Sequence, residues 1–215
     1  MIDLYSIPPQ MMLSLRGGEY EYVDLGLPSH LKWAKCNVGA EKESDYGYYF
    51  QWGDIVDKSN ADCSWATYTH CNGSNTTLTK YNTDSSYGAV DNKTTLDLED
   101  DAARVNMGGD WRMPTEAECQ ELIDNTTNEW TQLNGVNGRK FTSKINGNSI
   151  FIPAAGIYSD SSFNDRGFSG NIWSSSLDDG SNVDAWFLDF QSDYISDECS
   201  SSERSWGLPV RGVFK

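Results

Sequence analysis

Apolar and polar residues alternate from Glu19 to Gly26, with Tyr20, Tyr22, Val23 and Leu25 as the apolar members. Pro28-Ser29 then supplies a turn, and Leu31 to Val38 alternates again with Leu31, Trp33 and Lys35 on one side. Two half-buried strands around a turn predict a hairpin. Asp45 to Gly53 is densely aromatic. It reads first as packing, with a sugar-stacking platform as the alternative. Ile55 to Tyr87 shows no sustained period and reads as a long irregular insertion or a pair of short strands.

Two helices follow. Asp97 is placed to cap a segment in which Leu98, Ala102 and Val105 recur at helical spacing, and Gly108-Gly109 should stop it. The second begins after Pro114. Thr115 and Glu118 have the spacing of a capping box, Cys119, Leu122 and Ile123 form an apolar stripe, and Asn125 ends it. Between the helices, Arg112 has Asp110 and Glu116 as nearby carboxylates for a half-buried pair. Lys140 to Ile145 and Ser149 to Ile152 then predict a hairpin around Asn146-Gly147 as a type I′ turn. The tract from Ile157 to Trp206 is too polar to be a core alone. Alternation nevertheless points Trp186, Leu188 and Phe190 inward and leaves Phe187 and Asp189 outside. Trp173 and Trp206 are further anchors, and Gly207 to Phe214 is a strand-like tail.

Strands, two helices, then strands make an α+β fold. The 215 residues fit one domain, or one domain with long insertions. A chain of this length buries roughly 70% of its unfolded surface, so neither metal nor disulfide is needed for stability. Residues 1–18 read as an N-terminal arm before a domain spanning 19–215.

A formal charge of −16 opposes binding to phosphate backbones or anionic membranes, which excludes nucleic acid as an expected partner. No apolar stretch approaches the ~20 residues of a membrane span, and the N-terminus lacks a basic region followed by an apolar run. Five cysteines without a CxxC pair suggest neither a disulfide framework nor zinc. Cys63 and Cys71 are spaced to close a short loop under oxidising conditions, while Cys36 and Cys119 read as buried small hydrophobes. His30 and His70 show no nucleophile or metal-ligand spacing and read as exposed structural residues. Ser174 to Ser176 have no nameable acid–base partner. The runs Glu99-Asp100-Asp101 and Asp178-Asp179 offer hard oxygen ligands suited to calcium. However, Asp178-Asp179-Gly180 reads first as a turn, so neither metal nor cofactor is expected.

Several motifs carry a resemblance. Tyr22 to Ser29, Lys32-Trp33-Ala34, Cys36 to Ala40, Asp45-Tyr46-Gly47 and Trp111 to Glu118 resemble C-type-lectin-like domains of gut Bacteroidetes and their phages. The Trp111 to Glu118 run is also similar to the signature of the formylglycine-generating-enzyme (sulfatase-modifying-factor) superfamily. Phe151 to Gly156, Trp173 to Ser176 and Val210-Arg211 resemble variable proteins of diversity-generating retroelements. The resemblance covers residues 19–214. It implies a C-type lectin fold: small antiparallel sheets, two helices and a loop-rich ligand-binding half. It also implies a variable-type tract at 157–206, diversified through adenines in AAC-type codons. The tract contains no Lys and no Met, as such codons require, and its Trp, Gln and Glu residues would be fixed. The copper-binding cysteine pair of formylglycine-generating enzymes is not matched, because the tract holds Cys199 alone. The motifs that mark calcium-dependent sugar-binding lectins are absent as well.

On this resemblance the replaceable ligand contacts are Tyr158, Asp160, Phe163, Asn164, Asp165, Arg166, Phe168, Ile172, Asp184, Phe187, Asp189, Tyr194 and Ser205. Aromatics beside short polar residues combine rigid contact area with adaptable hydrogen bonding. The expected function is non-catalytic recognition of a protein or cell-surface ligand, in an extracellular, cell-surface or virion setting. A glycan-binding adhesin and a structural subunit of a phage tail or pilus are the alternatives.

Overall fold

The first strand pair forms where the alternation places it. In the computed structural model, which describes residues 20–192 and 199–215, β1 (Tyr22–Asp24) pairs antiparallel with β2 (Lys32–Ala34). The N-terminal arm lies outside the described residues. The last strand, β11 (Val213–Phe214), pairs with the other edge of β2, so Val23, Trp33 and Val213 stand in one row across the sheet. Leu31 and Trp33 are fully buried. The chain around them is a mixed α/β protein of small antiparallel sheets with two α-helices among the described residues.

Asp101, not Asp97, caps α1 (Ala102–Met107). Its Oδ1 accepts from Arg104 N at 2.9 Å, and its Oδ2 accepts from Met113 N at 2.8 Å. Asp97 is instead engaged by Lys80 and Lys93, and Leu98 is exposed. The helix therefore starts a turn later than its apolar spacing suggests. Gly108 ends it as expected, with φ 74°. The capping box of α2 (Glu116–Asn125) forms in full, and Cys119, Leu122 and Ile123 are its buried stripe. Glu118 also receives both Nη atoms of Arg112, at 2.6 and 2.7 Å. This replaces Asp110 and Glu116 as the partners expected for Arg112. One helix turn brings Glu118 back over the Arg, whereas Asp110 points to solvent. Burial opposes ionisation of Glu118, but hydrogen bonds from Arg112 and Thr115 outweigh it and hold the carboxyl below its usual range.

Next comes a three-stranded sheet of β3 (Thr126–Leu133), β4 (Val136–Ser143) and β5 (Ser149–Pro153). The type I′ turn lies at Asn134-Gly135, where both residues take positive φ (53° and 80°) and Leu133 faces Val136. At Asn146-Gly147 only the glycine does so. There Ser143 Oγ, accepting from Ile145 N and Asn146 N, organises a longer loop.

A second three-stranded sheet has the order β10-β9-β8, built from β8 (Ser169–Leu177), β9 (Asp184–Gln191) and β10 (Ser200–Glu203). Between β5 and β8 stands a small hairpin of β6 (Ile157–Ser159) and β7 (Ser162–Asn164).

The core has two large parts, with a smaller cluster of Tyr49, Cys63, Ala155 and Tyr158 beside them, and the β8–β9 pair contributes to both large parts. Ile172, Leu188 and Phe190 pack with Trp33, Phe141, Ile152 and the α2 stripe. Trp173, Leu177, Ala185 and Phe187 pack with Phe50, Trp52, α1 and Val210. Since neighbouring residues of a strand face opposite ways, both faces of this pair are covered. The aromatic run from Asp45 to Gly53 is absorbed here too. Tyr49, Phe50 and Trp52 are buried, which answers the choice between packing and a sugar platform for these rings.

Candidate functional site

The β6–β7 hairpin turns on Asp160-Ser161, both with positive φ (46° and 63°), a two-residue turn whose twist matches the strands. Asp165 continues in the same conformation (φ 55°), and its carbonyl accepts from Phe168 N and Ser169 N. Gly167 N donates to Ala154 O at 2.7 Å, and Gly156 N to Ser169 O at 2.8 Å. The segment is thus tied down at both ends. Ser192 N donates to Phe168 O, so the end of β9 adjoins the same loop.

Arg166 pins the loop from beneath. Its guanidinium carbon lies 3.4 Å from the centre of the Phe163 ring, 4.8 Å from that of Tyr46 and 5.3 Å from that of Tyr49. Nε and Nη2 donate to the Tyr49 hydroxyl at 3.2 and 3.0 Å, and that hydroxyl donates to Ala155 O at 2.6 Å. Burial pushes the Tyr49 phenol up to about 12, against the opposing pull of Arg166, so it stays protonated and able to donate. Tyr158 and Phe163 stack beside it at 4.6 Å between ring centres. Cation–π contact of this kind contributes roughly 0.5–2 kcal/mol.

Above this underlay, five of the expected contact residues are exposed together on one short stretch: Asp160, Phe163, Asn164, Asp165 and Phe168. Phe163 is 40% exposed and Phe168 69%. Arg166 is half-buried and acts as the pin. The exposure expected for Tyr158, Ile172, Phe187 and Ser205 is corrected, because all four are buried. Tyr158 lies under the hairpin, stacked with Tyr49 and Phe163. Ile172 and Phe187 belong to opposite sides of a sheet covered on both faces, and Phe187 meets Trp173 edge-on at 5.9 Å. Ser205 Oγ donates to Glu203, and its carbonyl accepts from the buried Gln51. Asp184 and Asp189 are half-buried, and burial raises the Asp189 carboxyl above its usual range. Asp184 opens β9 and is roughly 23 Å along the strand from Gln191 at the loop end, so it does not join the exposed group. Tyr194 lies outside the described residues. Ser161, Ser162, Gln191 and Ser192 are exposed in this region and were not singled out by sequence. Turn chemistry at Asp160-Ser161 is the signal that marks the first two.

The acidic runs hold other partners. Asp97, Glu99 and Asp100 bring carboxylate oxygens within 4.8 Å of one another. Between them sits Lys80 Nζ, 2.7, 3.3 and 2.6 Å from the three. Burial disfavours this ammonium, but hydrogen bonds to Asp100 and Asp97 outweigh it and hold its pKa above the lysine range. A built-in cation therefore takes the place a metal ion would need. Replacing Lys80 with Met is expected to lower stability by about 1–3 kcal/mol, since Glu99 and Asp100 lose the ammonium between them and Asp97 is left with Lys93 alone. Urea unfolding in low salt and in 1 M salt checks this, with the loss expected to shrink in high salt. A loss independent of salt would assign the effect to packing. Asp101 serves as the α1 cap, and Asp178 Oδ1 accepts from Gly180 N in a local turn.

The five cysteines are free thiols. Cys63 packs with Tyr49, Ala155 and Tyr158, whereas the Cys71 thiol donates to Trp65 O at 3.1 Å, so the two serve separate contacts. Cys119 is buried as expected, and Cys36 is half-buried. His30 is exposed, but His70 is buried, a correction. His70 Nε2 lies 3.2 Å from Gly53 O, and the ring meets Tyr68 and Tyr81 edge-on. No helix of the described residues is long and apolar enough to cross a membrane.

No protein-family model, curated protein or solved structure matches the chain.

Proposed function

We propose that this chain is a non-catalytic ligand-binding protein that recognises a protein or cell-surface ligand through the stretch from Asp160 to Phe168, displayed on a C-type-lectin-like scaffold. The observation that carries the reading is the pairing of exposed rings with a braced backbone. Phe163 and Phe168 face solvent among Asp160, Asn164 and Asp165, while Arg166, Tyr49 and the Ala154 and Ser169 hydrogen bonds hold the chain beneath them. Rigid aromatic area offered at low entropic cost is what recognition surfaces use. The acidic residues of the rim favour a ligand with basic groups beside an apolar contact.

Phe168→Ala tests it. The ring is mostly exposed, so the melting temperature should stay within about 2 °C, whereas binding should weaken by roughly tenfold or more if the ring is an anchor. The probes are arrays of cell-surface proteins and of glycans, read with wild type and variant side by side. Equal binding by both proteins would sink the reading. Binding on the glycan array alone would move it to an adhesin. A reverse transcriptase beside the gene, with an imperfect template copy of 157–206, is the result expected if the tract is diversified.

A further inference from the structure

Cys119 and Cys199 are far apart in sequence but adjacent in space. Cys119 lies in the middle of α2 and is fully buried, and Cys199 immediately precedes β10 and is 7% exposed. Both belong to the same apolar cluster. Two backbone-level contacts seat Cys199 against the first turns of α2. Its N–H donates to Gln120 Oε1 at 3.3 Å, and its Sγ approaches Glu116 O at 3.7 Å. Glu116 and Gln120 are one helical turn apart, and Cys119 stands between them on the inward stripe. With Cys199 Sγ held against the carbonyl of Glu116, three residues before Cys119, both thiols lie in the same buried cluster beside the first turns of α2.

From this placement we infer that Cys119 and Cys199 are a disulfide-forming pair, oxidised by a small-molecule disulfide such as oxidised glutathione. The step balances by thiol–disulfide exchange. Cys199, the more accessible of the two, attacks one sulfur of the oxidant as thiolate, breaking its S–S bond and releasing one small thiolate. Cys119 then loses its proton and attacks the Cys199 sulfur of the mixed disulfide, forming the protein S–S bond and expelling the second small thiolate. Two electrons and two protons pass from the protein thiols to two molecules of small thiol. The thiol of Cys119 sits well above its ordinary pKa, first through the neighbouring Cys199 thiol and then through burial. The second step is accordingly slow near neutral pH and faster in mild alkali.

The bond would join α2 to β10 across a long loop of chain, the kind of closure that constrains the unfolded chain most in the entropic account. The test uses the full chain, equilibrated with oxidised glutathione, denatured, alkylated and mapped by mass spectrometry. The expected result is one linked peptide pair carrying Cys119 and Cys199, a mass about 2 Da lower before alkylation, and Cys36, Cys63 and Cys71 all alkylated. The oxidised wild type should melt about 10 °C higher than the reduced protein, a reading that needs no variant. Cys199→Ala should abolish the linked pair. Alkylation of all five cysteines after equilibration overturns the proposal. So does a link between another pair, or glutathione retained on Cys199 with Cys119 free.

Discussion

Replacing Arg211 with Met should destabilise the protein by about 3–5 kcal/mol, the largest loss we expect from any single side-chain truncation here. Arg211 is fully buried, and its guanidinium acts as a three-way clasp. Nε donates to Asn37 Oδ1 at 2.8 Å. Nη1 donates to Ala34 O at 3.2 Å and Lys35 O at 3.0 Å, and Nη2 to Phe151 O at 3.2 Å. These acceptors belong to the end of β2, the loop that follows it and the middle of β5, so one side chain joins two sheets. Met would fill much of the volume but leave four buried oxygens without donors, at about 1–3 kcal/mol each before relaxation and water entry. Lys should rescue little, because a single ammonium cannot reach along three divergent directions. Burial draws the guanidinium down to about 10, still far above neutral, so the loss should be constant between pH 5 and 8. Urea unfolding of the wild type, the Met variant and the Lys variant at two pH values measures all of this. A loss below about 1 kcal/mol would mean that the four oxygens find other donors.

How far the chain could be read in advance depends on whether a signal is local. The α2 capping box, its apolar stripe and the β1–β2 pair all rest on neighbours within a few residues, and they form as their spacing indicates. The misplaced features have competitors that act at a distance. Asp97 has the chemistry of a cap, but Lys80 and Lys93 claim its carboxylate. Asn-Gly stands at both 134–135 and 146–147, and of these two only the first closes a two-residue turn. At the second, Ser143 Oγ captures two backbone amides and makes a longer loop. Strand alternation from Trp186 to Phe190 sorts the residues correctly into two sets. It carries no information on whether the second set meets water, and here Phe187 meets Trp173.

The exposed stretch shows the same division. Asp160, Phe163, Asn164, Asp165 and Phe168 are neighbours in sequence, so a composition-based reading finds them together. Their support is not local. Tyr46 and Tyr49 lie more than a hundred residues upstream of Arg166, and nothing in their spacing announces that their rings receive its guanidinium. This arrangement separates roles along one strip of chain. The underlay draws on buried rings, one face of Phe163 and backbone carbonyls, whereas Asp160, Asp165 and Phe168 contribute little side-chain contact to the fold, which leaves them free to differ in chemistry at small cost in stability.

Gly156→Ala should expose that dependence on the underlay. Gly156 has φ +64°, a conformation that costs an L-residue roughly 1–2 kcal/mol. A Cβ there would lie 2.1 Å from Asn164 O, 2.6 Å from Arg166 N and 2.8 Å from the Asp165 carbonyl carbon. All three are backbone atoms of the displayed stretch, so no side chain can swing aside, and the hairpin must move away from Ala154 and Ala155. Gly167 is the control. It has φ +86°, yet a Cβ there meets nothing within 4 Å, so Gly167→Ala should lose only the conformational cost, about 1–2 kcal/mol. Gly156→Ala should lose at least about 2 kcal/mol more, since a contact this short forces backbone displacement. It should also weaken binding by wild-type criteria even where the protein remains folded, because Phe163 and Phe168 lose their fixed spacing. Paired urea melts give the stability difference, and binding of the folded Gly156→Ala protein to whatever the arrays identify gives the second readout. Equal losses for the two substitutions would show that the hairpin is not seated against Gly156, and the account of a braced display surface would fall with it.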